Sequence, residues 1–241
     1  MDDIPFGISR LDSLLEGGAP PGSVVLLSGE AGAGAREFAY TSASKSTLEQ
    51  EFRYTLSDDI VDSVIKDIEY LDLSTEYFQS SRIPKDWYLG RTTELSDLSG
   101  GGNREKVLSV LGDYLTEHAS GNLIVFDSIT DLLSAMADDL TWQDIPMLIR
   151  GLKRAAEQWG GLVLILASEE TLESTQLGQL SDAASGTINF SWETGGSKRA
   201  RVMVVKQFRG VLSRLEDEDI VQFEGEIHEG GYDLSNVRKI R

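Results

Sequence analysis

Residues Gly29 to Arg36 read GEAGAGAR and follow the apolar run Val24–Leu27. Small residues at Ala31, Gly32, Ala33 and Gly34 keep the backbone open. The stretch leads into a predicted helix, so its N–H groups would face an anion at a helix N-terminus. The spacing matches the phosphate-loop pattern G-x-x-x-x-G-K-[ST], with Gly29 and Gly34 as the two glycines and Glu30 among the variable positions. The last two positions depart from it. Ala35 stands where a lysine would reach the terminal phosphates, and Arg36 stands where a Ser/Thr hydroxyl would bind Mg²⁺. A charge-assisted hydrogen bond is worth roughly 1.5–3 kcal/mol. Losing the lysine therefore weakens phosphate binding by about one to two powers of ten. Phosphoryl transfer should suffer more, because that lysine also offsets charge developing in the transition state. Arg36 offers a positive charge from the next position on the helix, and it cannot act as a metal ligand.

A second constellation is LIVFDS, Leu123–Ser128, in which four apolar residues end in an acid. An aspartate at such a strand end, downstream of a phosphate loop, holds Mg²⁺ directly or through water. Asp127 is the candidate. Asp127 or Ser128 could also cap the helix that begins near Ile129, and the two roles are compatible. Other chemistry is sparse. His118 and His228 are isolated, no cysteine is present, and no G-x-S-x-G pattern occurs. The basic patch KRAR, 198–201, is short and lacks a surrounding aromatic platform, so it reads as a solvated turn or a subunit contact rather than a DNA platform. Trp87, Trp142, Trp159 and Trp192 are scattered and read as core or interface residues.

The elements that must position these residues are legible as periodicity. Ile8, Leu11, Leu14 and Leu15 predict a short helix stopped by Gly17-Gly18. Val24–Leu27 predicts a strand buried on both faces, and a helix follows the loop to about Thr47. Strands are expected at 52–56, 87–91, 122–127 and 162–167. Helices are expected at about 60–70, 104–118, 129–137 and 143–158, the last ending at Gly160-Gly161. Leu98–Asn103, LSGGGN, is a low-complexity loop of the kind that binds partners or is merely disordered. After Asp182 the chain alternates apolar and polar residues with short turns, which predicts antiparallel strands and hairpins. Strands alternating with helices through the first two thirds predict an α/β fold with a mostly parallel sheet. One domain is expected over 1–241, with a lead-in at 1–22, a core at 23–182 and a C-terminal β extension at 183–241.

The segments IPFGISRLDSLLEGGAPPGSVVLLSGEAGAG, LIVFDSITDLL and VVKQFRG occur in an order that resembles the RecA superfamily, specifically the KaiC-like ATPases. The similarity runs across nearly the whole chain. The closing GEIHEGGYDLSNVRKIR resembles short single-domain members of halophilic archaea. The resemblance implies a RecA-type phosphate-loop fold, ATP at the loop with Mg²⁺, and rings or filaments with nucleotide between subunits. It also implies a glutamate pair after the second strand, one of which activates water. Ser57 and Asp58 stand at those positions, so Asp58 is the candidate base. Its alternative role is a helix cap or first-turn acid. In VVKQFRG, Arg209 fits the arginine that touches a neighbour's terminal phosphate, with a surface ion pair as the alternative. Gln207 stands at the lysine position, and Lys206, one residue off, faces the other side of a strand.

Composition bounds what remains. Among 241 residues, 22 are Lys or Arg (14 of them Arg) and 40 are Asp or Glu, a formal net charge of −18. Such a charge repels phosphate backbones and disfavours nucleic acid as a partner. It also suits a high-salt cytoplasm, where the Debye length falls to about 3 Å at 1 M. The apolar runs are strand length, far short of the roughly 20 residues of a membrane span, and the N-terminus lacks a signal-peptide pattern. The expectation is a cytoplasmic KaiC-like protein with a degenerate phosphate loop and little or no hydrolysis. It would work in a homo-oligomer or beside a related active ATPase.

Overall fold

The structure, a computed structural model, describes residues 2–44, 71, 73, 105–135, 141–193, 200–217 and 220–239. The strands expected at 52–56 and 87–91, the helix at 60–70, the loop at 98–103, Ser57, Asp58, Lys198 and Arg199 lie outside these residues.

Among the described residues, a sheet of seven strands organises the fold. Its strands are β1 (Ser23–Gly29), β2 (Leu123–Phe126), β3 (Leu162–Ser168), β4 (Gly186–Glu193), β5 (Ala200–Phe208), β6 (Ile220–His228) and β7 (Gly231–Lys239). In space they run β2-β3-β1-β4-β5-β6-β7. The first four of that order are mutually parallel, and each later pair is antiparallel. The helices are α1 (Ser9–Leu14), α2 (Ala35–Ser44), α3 (Glu105–His118), α4 (Ile129–Ala135), α5 (Asp144–Trp159), α6 (Ser174–Ala183) and α7 (Leu212–Asp217). This is the α/β arrangement that alternating strands and helices predict.

Residue alternation along the central strands divides the core between two faces. Val25 and Leu27 of β1 join Leu162, Leu164 and Leu166 of β3 on one face, against α1, α2 and the C-terminal strands. Val24, Leu26, Val163 and Ile165 point to the other face, against α3 to α6. β1 is buried along its whole length, as its unbroken apolar run predicts. β2 is half-buried rather than fully buried, lying at one end of the described strand order. Gly160 closes α5 in the left-handed region at φ 70°, donating its N–H to the Ala156 carbonyl at 2.9 Å. That is where the Gly-Gly pair predicts the stop.

The segment after Asp182 differs from expectation. β4 alternates like an antiparallel strand, yet it runs parallel to β1 on one side and antiparallel to β5 on the other. The crossover that makes this possible is α6, which sparse apolar residues (Leu177, Leu180, Ala183) leave weakly marked in the sequence. Its local signal is a capping box, in which Gln176 Oε1 accepts from the Glu173 N–H at 2.8 Å. The short α7 likewise interrupts the expected run of hairpins.

The lead-in is built into the core. Phe6, Ile8, Leu11 and Leu15 are buried, and Ile4 bridges Ala19. Arg10 donates to the Leu234 carbonyl of β7 at 3.3 Å, and Arg214 ties the Asp3 carboxylate at 2.9 Å. Phe38 of α2 meets the rings of Phe6, Phe190 and Tyr232 at centroid distances of 5.6, 5.3 and 5.8 Å. Removing such a ring costs about 3–5 kcal/mol. This aromatic cluster fixes the helix that begins at the glycine loop.

Candidate functional site

β1 ends at Gly29, the chain turns through Glu30–Gly34, and α2 begins at Ala35. This strand–loop–helix order is the context that a phosphate loop requires. Glu30 donates its N–H to the Phe190 carbonyl and Ala33 donates to Glu30, both at 3.0 Å. The N–H of Ala31 donates to a carboxylate oxygen of Glu170 at 3.3 Å, so one donor of the loop already faces an acid of the same chain. The N–H groups of Gly32, Gly34 and Ala35 donate to none of the described residues.

The outer side of the loop is held by two residues of the C-terminal strands. Trp192 Nε1 donates to the Ala31 carbonyl, and Arg201 Nε donates to the Gly32 carbonyl, both at 3.1 Å. The Arg201 guanidinium also lies over the Trp192 ring, 4.6 Å from its centroid. These residues face each other across β4 and β5, in register. In sequence the patch holding Arg201 reads as a solvated turn or a subunit contact, and Trp192 as a core or interface residue. The available signal was the cross-strand register itself, which an unrecognised parallel β4 obscured.

From beneath, Tyr232 of β7 packs against Gly34. The Gly34 φ is 112°, and a Cβ there would lie 2.7 Å from Tyr232 Cε2, so glycine is required twice over. The Tyr232 N–H donates to Thr41 Oγ1 of α2 at 2.7 Å. Its ring is buried and its hydroxyl has no partner among the described residues. Burial pushes the phenol pKa well above the ordinary tyrosine range; nearby Arg201 opposes that shift and Glu37 adds to it.

Asp127, two strands away from the loop at the end of β2, is reached by α2. Arg36 Nε lies 2.8 Å from Asp127 Oδ2 and its Nη2 lies 3.0 Å from Oδ1, a two-point guanidinium–carboxylate pair. Tyr40, one turn further along α2, donates its hydroxyl to Oδ2 at 2.7 Å. The Asp127 side chain is 16% exposed, whereas that of Arg36 is 57% exposed. The peptide bond joining Asp127 to Ser128 is cis. Ser128 takes the capping role, accepting the Asp131 N–H at 3.2 Å. Tyr40 was not singled out by sequence reasoning, although its i, i+4 spacing from Arg36 puts both on one helix face.

Beside the loop, the buried Asn189 amide donates to Ser28 Oγ at 3.2 Å and to a Glu169 carboxylate oxygen at 2.5 Å. Gln207 donates to the Ser181 carbonyl, a structural tie to α6. Arg209 is exposed at the turn after β5, and its N–H donates to the Ser185 carbonyl at 3.2 Å. The strand register puts that turn at the far end of the sheet from the loop of the same chain. His118 stacks on Tyr114 at 4.4 Å, and His228 lies 4.0 Å from Asp233. Among the described residues, no group of three or more acids or histidines is placed to hold a metal ion. No helix among them is long and apolar enough to cross a membrane.

Fold and site together define a RecA-like phosphate-loop protein. A sequence profile described as "ATPase: KaiC" matches residues 4–224. The chain belongs to the KaiC-like ATPase family. It is also similar to the crystal structure of a KaiC-like protein from the hyperthermophilic archaeon Pyrococcus horikoshii. The TM-score is 0.58 at 18% identity, and the match covers 97% of this chain and 99% of that one, a likeness of fold. A search of curated proteins finds no match.

The family implies ATP with Mg²⁺. Mg²⁺ demands near-octahedral oxygen ligands at about 2.0–2.1 Å. Here both oxygens of Asp127 accept donors from α2, and residue 36 brings a cation in place of a hydroxyl. These residues do not fit the ion. They fit phosphate oxygens in part, through the N–H groups of Gly32, Gly34 and Ala35.

Proposed function

We propose that this KaiC-like chain binds ATP weakly or not at all, hydrolyses little or none, and serves as a regulatory or structural subunit. The observation that carries the proposal is the Arg36–Asp127 pair. It engages the acid expected to hold Mg²⁺ with the residue standing where a hydroxyl ligand would be. Ala35 removes the lysine contact as well, and Gln207 is committed to Ser181. Without the metal and the lysine, the described loop is left with its backbone N–H groups alone to offset charge on a transferred phosphoryl group, since Arg36 is turned to Asp127. The described residues keep a core on both faces of the sheet, which suits a subunit of a homo-oligomer or a partner of a related active ATPase. The net charge of −18 suits a halophilic host and disfavours nucleic acid.

The test is a titration with a fluorescent ATP analogue in molar KCl, with and without Mg²⁺, followed by a phosphate-release assay. The expected results are no saturation at micromolar analogue and no steady release. Release that disappears in Asp127→Ala would instead establish the second reading, an active ATPase with Arg36 as a phosphate contact and Asp58 as base. Salt-resistant binding of single-stranded DNA would establish a recombinase-like protein. Light scattering after size exclusion, alone and with a related ATPase, tests the assembly role, and a monomer in both cases would refute it.

A further inference from the structure

We propose that Arg36 is a tethered substitute for the divalent cation: its guanidinium takes the place beside Asp127 and closes that carboxylate to Mg²⁺ and Mn²⁺. A carboxylate offers about four lone-pair sites. Arg36 occupies one on each oxygen, at 2.8 and 3.0 Å, and Tyr40 occupies a further one at 2.7 Å. A dication coordinated to either oxygen would have to displace one of these donors and sit beside a fixed positive charge. Arg36 cannot lose that charge by deprotonation. Nor does Tyr40 yield readily, because it is buried on the inner face of α2. The spacing Arg36-x-x-x-Tyr40 sets both donors on the helix face that looks toward the end of β2. The acid is thus neutralised from within the chain, and the charge balance of the site no longer depends on a diffusible ion.

The inference rests on the family assignment of the loop and concerns its metal side alone. It is therefore measured without nucleotide, so its failure leaves hydrolysis undecided, and phosphate release that survives Asp127→Ala would refute the hydrolysis reading while leaving the inference standing. Mn²⁺ is titrated into the ¹⁵N-labelled full chain in molar KCl, and paramagnetic broadening of the amides of Gly29–Arg36 and Phe126–Ser128 is followed. In the wild type these amides should broaden no more than those of acidic surface helices, and Asp127→Asn should change nothing. Arg36→Thr, which restores the hydroxyl of the pattern and removes the guanidinium, should bring selective broadening, with apparent Mn²⁺ affinity at Asp127 raised at least about tenfold. Arg36→Thr combined with Asp127→Asn should abolish it. Amide dispersion reports that each variant is folded. Selective broadening in the wild type that vanishes in Asp127→Asn would overturn the proposal. A folded Arg36→Thr chain without selective broadening would also overturn it, because Arg36 would then not be what closes the site.

Discussion

The coupling between Arg36 and Asp127 can be measured as a stability difference. Arg36→Ala removes a two-point ion pair at 2.8 and 3.0 Å whose cation is 57% exposed and whose anion is 16% exposed. Exposed pairs contribute about 0.2–1 kcal/mol, and the guanidinium half of this one belongs to that class. The largely covered carboxylate is left with Tyr40 as its remaining donor from α2, which adds a desolvation penalty of about 1 kcal/mol. The single variant should lose about 1–2 kcal/mol. Asp127→Ala removes an acceptor shared by Arg36 and the buried Tyr40 hydroxyl, again about 1–2 kcal/mol. The double variant should lose less than the sum, with a coupling energy of about 1 kcal/mol. For a chain of this size, each kcal/mol shifts Tm by about 2–4 °C. Urea and thermal unfolding of the four proteins at 0.2 M and 2 M KCl supply the cycle. The coupling should shrink at the higher salt, because the exposed side of the pair is screened. A coupling below about 0.3 kcal/mol, within the additivity of unrelated sites, would refute the view that Arg36 neutralises Asp127.

Other consequences can be checked directly. Tyr232→Phe removes a buried hydroxyl without a described partner and should raise stability by about 1 kcal/mol in urea unfolding. It should also flatten the alkaline limb. Burial raises the folded phenol's pKa above its unfolded value of about 10, so stability is intact below that pH and falls as pH rises beyond it. Gly34→Ala forces a side chain into φ 112° and against Tyr232, and should cost about 2–4 kcal/mol in thermal or urea unfolding. Arg201→Gln should leave global stability within about 1 kcal/mol while speeding hydrogen exchange at Ala31–Gly34, because a carbonyl tie and the Trp192 stack are lost together.

The parts of this molecule that depend on local pattern were readable in its residues. Continuous apolar runs marked β1 and β3, the Gly160-Gly161 pair marked the end of α5, and the glycine spacing placed the loop between strand and helix. Asp127 stood out as a candidate because an acid ending an apolar run is a local signal. What escaped was set by distant pairing. Alternation in β4 is the same whether its neighbours run parallel or antiparallel, so the crossover through α6 was hidden. Trp192, Arg201 and Tyr232 reach the loop only because β4, β5 and β7 return to it. The direction of Arg36 was half legible. Its departure from the pattern was plain, but its pairing with a residue 91 positions away required the sheet order that brings β2 near α2.

The hydrogen bond from the Tyr232 N–H to Thr41 joins residues 191 positions apart. At a synthesis rate of about 5–20 residues per second, roughly 10–40 s separate the appearance of α2 from that of the strand that covers it. During this interval Phe38 lacks its Tyr232 neighbour, and the loop lacks its support beneath Gly34. The glycine loop is therefore made well before the strand that supports it and takes its shape only when that strand arrives. Until β4 and β7 are made, the ring of Phe38 lacks the Phe190 and Tyr232 rings that bury it.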